Sequence, residues 1–524
     1  MSEENPLHSE AGPSTTWTTV NTAEAMPGVQ TPLSWTFWAD PLELAMRGAF
    51  CDIGVLRKSE ISASPVIDER YAGIIYGRFI ANVDRMREIG DRMPGTSGDA
   101  VEEQLFGRVT SGLSSSNDYR RYAVVAAKMP LLIARLPKLL HRMRGEYDRW
   151  WRSGGATITD AQQRFHDVMR PHSVATMLAQ AMYEQVRAVA EAAGKPGLET
   201  TLITGHGDME ETAIATDLWD VSRDRLELGE FIARHGYHGP SEGSLASRSW
   251  REDDAPLRAL VATYRTMDDD ADPRAVLRAR TQARIDAEAE VLAALPRAQR
   301  LRARAILRMA ARHIGLREVG KAAFLQAIDA GRAAARASGA RLAADGVIAD
   351  PEDVFFLTMD EVTGTPPADA RDLVAARRAI RDEYLRLRLP DTWKGAATPI
   401  VIADATGERA ETLDGLAVAP GVVEGRARVV LDPDAGIDIE PGEILVCETT
   451  DPSWASFFLV AGALVIDIGG AMSHGAIVAR EMGIPCVINT RTGTSAIATG
   501  DLLSVDGGAG TVRVLERAEK ETPA

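Results

Sequence analysis

Cysteine is scarce in this chain: Cys51, Cys447 and Cys486 are the only three in 524 residues, they lie far apart, and no CxxC pair occurs. That excludes a disulfide framework or a thiolate zinc site as the organising device and fits a reducing cytoplasm. No apolar run reaches the ~18 residues of a membrane-spanning helix, and the opening MSEENPLHSEAGPSTT lacks the apolar stretch of an export signal. Positive charge is in deficit, with 59 Lys and Arg against 75 Asp and Glu and a net charge of −16. Nucleic acid and anionic membranes both reward cationic surface, so neither is expected as a partner. His206, Asp208, Glu210 and Glu211 crowd into GHGDMEETAIATDLWD, but without HExxH-type spacing they read as a solvated acidic loop, and no metal is expected. What is present is ordinary globular composition, 45% hydrophobic and 26% charged, in a chain long enough for several domains.

A polar tail is expected at 1–16, with order beginning at Trp17. Pro27-Gly28 reads as a turn, and Thr31-Pro32 as an extended step before an aromatic run. From 118 to 295 the pattern is mostly helical; Val174, Met177, Leu178, Ala181, Met182, Val186 and Val189 share one helix face that Gly194 and Pro196 end. Pro130 and Pro137 interrupt a very apolar helical stretch, predicting kinks or a short break. Such a stretch is ordinarily core, but Met129, Leu132, Leu136, Trp150 and Trp151 are also candidates to wall an apolar ligand.

The stretches 273–295 and 297–343 read as long helices. Within the second, GLREVGKA at 315–322 is one residue short of a Walker A loop, has Ala322 where Ser or Thr would hold magnesium, and follows a helical flank rather than a strand. Arg317 and Lys321 instead stand one helical turn apart, a cationic face that is either solvated or closed by an anion. DPEDVFFLTMDEV, 350–362, reads as a capped structural turn, and the aperiodic 389–413, which contains Pro and Gly, as a linker.

The stretch 463–489, ALVIDIGGAMSHGAIVAREMGIPCVIN, reads as strand, glycine turn, helix and strand. His474, the only histidine in the last 200 residues, falls at the helix N-terminus, where unpaired amides and the helix dipole favour an anion. By local pattern it is either a partly buried polar residue at a turn or a carrier of a phosphoryl group.

GGAMSHGAIVAREMGIP, with TTDPSW at 449–454 before it and Val505-Asp506-Gly507 after it, resembles the phosphohistidine swivelling domain of the phosphoenolpyruvate-utilising enzymes over about 415–515. The resemblance implies that His474 carries phosphate, framed by Gly469, Gly470 and Ser473; Gly475 stands where relatives more often have Ala and is expected to loosen the first helical turn. The opening region with Gly77-Arg78 and Asn82, and HGYHGPSEGSLASRSWRED with Glu242, Trp250 and Glu252, resemble the substrate-binding domain of the rifampicin phosphotransferases. There His238 replaces the usual arginine, and imidazole lacks a guanidinium's bidentate grip on an anion. Arg317, Glu318 and Lys321 match an R-E-x-x-K pattern that this family turns toward the incoming phosphohistidine.

The fold implied is multidomain: a large, mainly α-helical substrate-binding domain at 17–388, a linker at 389–413, a small α/β swivelling domain at 414–518 and a tail at 519–524. The function implied is a phosphotransferase subunit moving phosphate from His474 to the hydroxyl of a hydrophobic small molecule, with Arg317 and Lys321 neutralising the transferring group and Glu242 or His238 as base. ATP and Mg2+ are expected on a separate ATP-grasp subunit, an arrangement similar to phenylphosphate synthase. The alternatives are a non-catalytic subunit that binds a hydrophobic ligand and a regulatory subunit whose histidine is phosphorylated only as a signal.

Overall fold

A computed structural model describes residues 5–206, 210–401, 410–431, 439–450, 454–470 and 473–518, with the backbone alone described at 23, 24, 455, 456 and 474. Asp208 of the acidic loop, Asp451-Pro452-Ser453, and parts of the expected tails and linker lie outside the described residues. The chain forms two compact units, each drawn from several segments.

The first unit comprises Met1–Val174, Tyr237–Ser249 and Gly320–Ala405. Its buried hub is the helix Pro32–Ile53, which Thr31 caps in the extended conformation with Pro32 at the first helical position, as the Thr31-Pro32 step implies. Trp38 and Phe37 from this helix pack on Phe165 at 4.6 and 5.5 Å between ring centroids. The helix Tyr122–Ser153 runs continuously through Pro130 and Pro137, so the expected break does not occur. Pro130 and Ala126, whose carbonyl loses its donor to the ring, are both exposed, leaving that carbonyl to water. The 350–362 turn is doubly boxed: Asp350 with Asp353, and Thr358 with Glu361, which Arg377 also grips at 2.7 and 2.9 Å.

A four-stranded antiparallel sheet orders Ala72–Ile75, Arg78–Asn82, Thr16–Thr18 and Thr392–Lys394. Tyr76 and Gly77, both at positive φ, make its tight hairpin. This sheet corrects two expectations. The segment at 1–16 is not a loose tail where described, because Leu7 is fully buried in the core and Thr16 pairs with Lys394. Nor is 389–413 wholly a linker, since Trp393 pairs with Trp17 and Leu389 is buried beside it. Three-residue strands carry too little periodicity to be seen alone; they exist because each finds a partner distant in sequence.

The second unit comprises Ala175–Gly236, Trp250–Val319 and Thr406–Ala524. Its eight-stranded sheet has a parallel centre, Val422–Val430, Ile444–Cys447, Ala463–Ile466 and Cys486–Ile488. Leu416–Ala419 flanks it on one side, and Leu502–Asp506, Thr511–Glu516 and Thr412–Asp414 on the other, all antiparallel. The central strands read ILVC, ALVI and CVI and are buried throughout, as parallel strands covered on both faces require.

One cover is a shared apolar core in which Leu218, Trp219, Leu260 and Tyr264, from the helices Glu210–Ser222 and Ala255–Thr266, pack with Phe458, Leu464, Val478 and Met482. The division therefore differs from the expected helical domain at 17–388 followed by a separate sheet domain. Phe458 is fully buried in this shared core, so Phe458→Ala is expected to cost ~3–5 kcal/mol, read as a lower denaturant midpoint for the second unit.

Candidate functional site

The strand Ala463–Ile466 ends at the buried carboxylate of Asp467, and the chain then turns through Gly469 and Gly470 into the helix His474–Met482. This carrier helix thus begins beyond the carboxyl end of a central parallel strand, the edge of an α/β sheet where ligands bind. Ser473 is its N-cap: the Ala476 N–H donates to Ser473 Oγ at 3.4 Å, and the Ser473 N–H donates to the Gly470 carbonyl at 3.0 Å. His474 is the first helical residue, so its backbone lies among the first-turn amides that a helix leaves for an external acceptor. Gly483, at φ 74°, ends the helix, as expected.

The glycines play different parts. A Cβ on Gly469 would stand 2.7 Å from Ile488 Cγ2 and 3.0 Å from Ser473 Oγ, so glycine lets the turn approach the sheet. Around Gly470 nothing among the described residues comes within 4 Å of the same position. Gly475 corrects an expectation: an alanine Cβ there would sit 2.6 Å from Ile466 Cδ1 and 2.8 Å from Thr450 Oγ1, so glycine fits a close contact with the strand rather than merely loosening the turn.

Asp467 was missed from sequence, because an aspartate beside Gly-Gly reads as a turn residue. Its carboxylate accepts from Thr490 Oγ1 at 2.8 Å, the Gly493 N–H at 2.5 Å, and the Thr494 N–H and Oγ1 at 3.0 and 2.5 Å. It thereby pins the loop after Cys486–Ile488 to the strand that carries the glycine turn. A signal was present in TRTGT, 490–494, a loop rich in small donors, but nothing local says which carboxylate they serve.

The far end of the carrier helix is fastened by buried charge. Arg480 Nε donates to the Val418 carbonyl at 3.1 Å, and burial holds its guanidinium below the ordinary arginine range. Glu481 accepts from the Gly205 N–H at 3.0 and 3.3 Å. Burial pushes its carboxyl above the ordinary range, while the Gly205 bond and Arg280 pull the other way.

The other expected site residues belong to other elements. Arg317 and Lys321 are one turn apart on the helix Leu316–Ala344; Arg317 Nε donates to Glu318 Oε1 at 3.0 Å, and Lys321 is buried. The stretch 315–322 is helical apart from Gly315, which is no phosphate loop. His238 and Glu242, both buried, hydrogen-bond through Nδ1 and Oε1. Arg332 braces their loop by donating to the carbonyls of Ser241 at 3.1 Å, Glu242 at 2.7 Å and Ser244 at 2.9 Å.

The His238 ring lies 4.3 Å from Tyr237, which meets Trp151 edge-on at 5.3 Å. Trp151 Nε1 in turn donates to Asp329 Oδ2 at 2.5 Å. Trp151 thus joins the His238 cluster, Leu136 is core, and Trp150 is half-buried beneath Arg164 at 4.5 Å. Met129 and Leu132 are half-buried, and Met129 lies ~33 Å from Trp151 along the same helix. The five expected lining residues therefore do not share one place.

Here a parallel strand runs through a glycine turn into a helix headed by histidine. Residues 439–510 match the family "PEP-utilising enzyme, mobile domain". Residues 222–318 match "Rifampicin phosphotransferase fourth domain". An uncharacterised protein of Mycobacterium tuberculosis is 36% identical over 290 residues, 55% of this chain and 31% of that protein. A rifampicin phosphotransferase of Streptomyces sviceus is 33% identical over 313 residues, 56% and 34% of the two chains. The prodigiosin synthesizing transferase PigC of Serratia marcescens is 30% identical over 320 residues, 59% and 35%. The chain spans about a third of the length of these curated relatives.

Two outcomes are expected. Asp467→Ala frees four donors, which costs ~1–3 kcal/mol and speeds hydrogen exchange at the Gly493 and Thr494 amides before other amides of the sheet. Glu481, with its raised carboxyl, keeps a proton in the folded state that the unfolded chain has already lost, so its ionisation subtracts stability as pH rises. Glu481→Gln is therefore expected to raise Tm at about pH 8 and to leave it unchanged near pH 4, where both forms are neutral.

Proposed function

We propose that this chain is a phosphotransferase component in which His474 accepts a phosphoryl group and passes it to the hydroxyl of a hydrophobic small molecule. The observation that carries this reading is the start of the carrier helix: a glycine turn beyond a parallel strand, a Ser473 cap, and His474 as the first helical residue. The match of 439–510 to the mobile domain supports it, and the relatives named rifampicin phosphotransferase support the reaction class.

In the first step an imidazole nitrogen of His474 attacks phosphorus; the N–P bond forms as the bond to the donor's leaving oxygen breaks. In the second, the acceptor oxygen attacks phosphorus, its proton passes to a base, and the N–P bond breaks. First-turn amides near Ser473, with the space beside Gly470, suit the phosphoryl oxygens. Arg317 and Lys321 would neutralise the group in transfer. His238 is the better base, because its Nδ1 is engaged by Glu242 and Nε2 is then the basic nitrogen. Tyr237 and Trp151 beside it supply the aromatic surroundings an apolar acceptor prefers.

The stretch 315–322 is helical apart from Gly315, so this Walker-like segment forms no phosphate loop. We therefore assign ATP and Mg2+ to an ATP-grasp module, proposed to be a separate subunit, and route no step of this chain through them.

Incubation with ATP and an ATP-grasp subunit is expected to place acid-labile phosphate on the wild type and none on His474→Ala. Label that chases into a hydroxyl compound supports transfer. Label that stays on the protein favours a signalling subunit, and its absence a binding protein. His238→Asn is expected to keep phosphohistidine formation and slow the chase by ~10²-fold or more.

A further inference from the structure

We propose that the outer face of the helix Tyr122–Ser153 is a docking surface for an anionic lipid bilayer. The observation is independent of the phosphotransfer reading. From Tyr119 to Gly145 the sequence holds seven cationic residues, Arg120, Arg121, Lys128, Arg135, Lys138, Arg142 and Arg144, and not one Asp or Glu, in a chain whose net charge is −16.

The fold lines the exposed members up. Lys128, Arg135, Arg142 and Arg149 recur every seven residues on one continuous helix, and all four are exposed, as is Lys138 between them. A seven-residue step drifts only ~20° around a helix, so they form a stripe on one face, ~32 Å long. Leu131, on the same face, is 52% exposed, with the exposed Pro130, Ala127 and Ala134 beside it.

Neutralisation within the protein is slight. Lys128 Nζ donates to the Cys51 carbonyl at 2.8 Å, and Arg142 meets Glu146 at only 3.8 Å. Among the described residues Arg135, Lys138 and Arg149 make no ion pair. The helix's other acid, Asp148, is committed to Arg152 at 2.9 Å and to Arg144 at 3.7 Å.

Protein interfaces interleave charges of both signs around aromatic anchors, which fixes register. A long stripe of cations, interrupted by the single acid Glu146 and otherwise by small apolar residues and one leucine, instead suits a surface that is uniformly negative, laterally adaptable and soft enough to admit Leu131. Clusters of four to eight Lys and Arg on a surface helix meet anionic headgroups in this way. The acidity of the rest of the chain does not forbid it, because charges more than about 8 Å away are largely screened at physiological ionic strength. Contact is peripheral, since among the described residues no helix is long and apolar enough to cross a membrane. This departs from the expectation of no membrane partner, which rested on net charge and on the lack of a spanning or signal-like apolar run.

The test is co-sedimentation of the full chain with phosphatidylcholine vesicles, with and without about one-third phosphatidylglycerol. At low salt the wild type is expected to partition onto the anionic vesicles at least tenfold more than onto neutral ones. The preference should vanish near ~0.5 M salt, where the Debye length shrinks, and in Arg135→Gln/Lys138→Gln/Arg142→Gln/Arg149→Gln. Equal or absent binding to the two vesicle types overturns the proposal, as does undiminished binding by a folded quadruple variant.

A salt-sensitive dimer in sedimentation velocity that the variant abolishes, without vesicle binding, overturns it in favour of a second copy. If the variant fails to fold, Leu131→Cys carrying a polarity-sensitive maleimide dye decides. The native Cys51, Cys447 and Cys486 are buried, so the dye reports one site. A blue shift on anionic but not neutral vesicles sustains the proposal, and no shift ends it.

Discussion

The close approach of the carrier helix to the strand before it is the constraint on which this architecture turns. A Cβ on Gly469 or Gly475 would press side chains aside, Ile488 for the first and Ile466 and Thr450 for the second. A helix held that near the sheet must begin abruptly, and an abrupt start leaves first-turn amides directed outward with Ser473 as their only side-chain cap among the described residues. Asp467 keeps the neighbouring loop from filling the space by drawing Thr490, Gly493 and Thr494 onto itself.

The carrier helix has two buried faces. Ala476, Val478, Ala479 and Met482 belong to a core that also contains Trp219, Leu260 and Tyr264. Its last turn is tied to the segment before residue 206 through Glu481 and Gly205. A displacement of the sheet by itself would strip apolar surface at roughly 25 cal/mol per Å² and bring a buried carboxyl into water. A displacement of the second compact unit as one body leaves those contacts intact.

Charge follows the same logic of location over total. The net −16 describes no particular surface: buried Arg480 and Glu481 bond to backbone groups, Arg332 donates to the carbonyls of Ser241, Glu242 and Ser244, and the exposed cations of Tyr122–Ser153 gather along one line. Buried hydrogen-bond acceptors and open solvent are different environments for a cation, and averaging over both hides each.

Much of the core site was legible in the residues themselves. Strand, glycine turn, helix and strand at 463–489 follow from apolar runs, Gly-Gly and the Gly483 stop, and the helical setting of Arg317 and Lys321 follows from periodicity. These are local properties, set by which dihedrals each residue permits and which face it buries. What covers a buried face is not local. The pairing of Trp17 with Trp393, the service of Asp467 to a loop 23 residues on, the gathering of Trp151 around His238, and the shared core of the sheet with 214–264 were decided only when distant segments met. Periodicity states that a side is apolar, and only the tertiary structure states against what, because hydrophobic burial has no direction and takes whichever surface the topology brings.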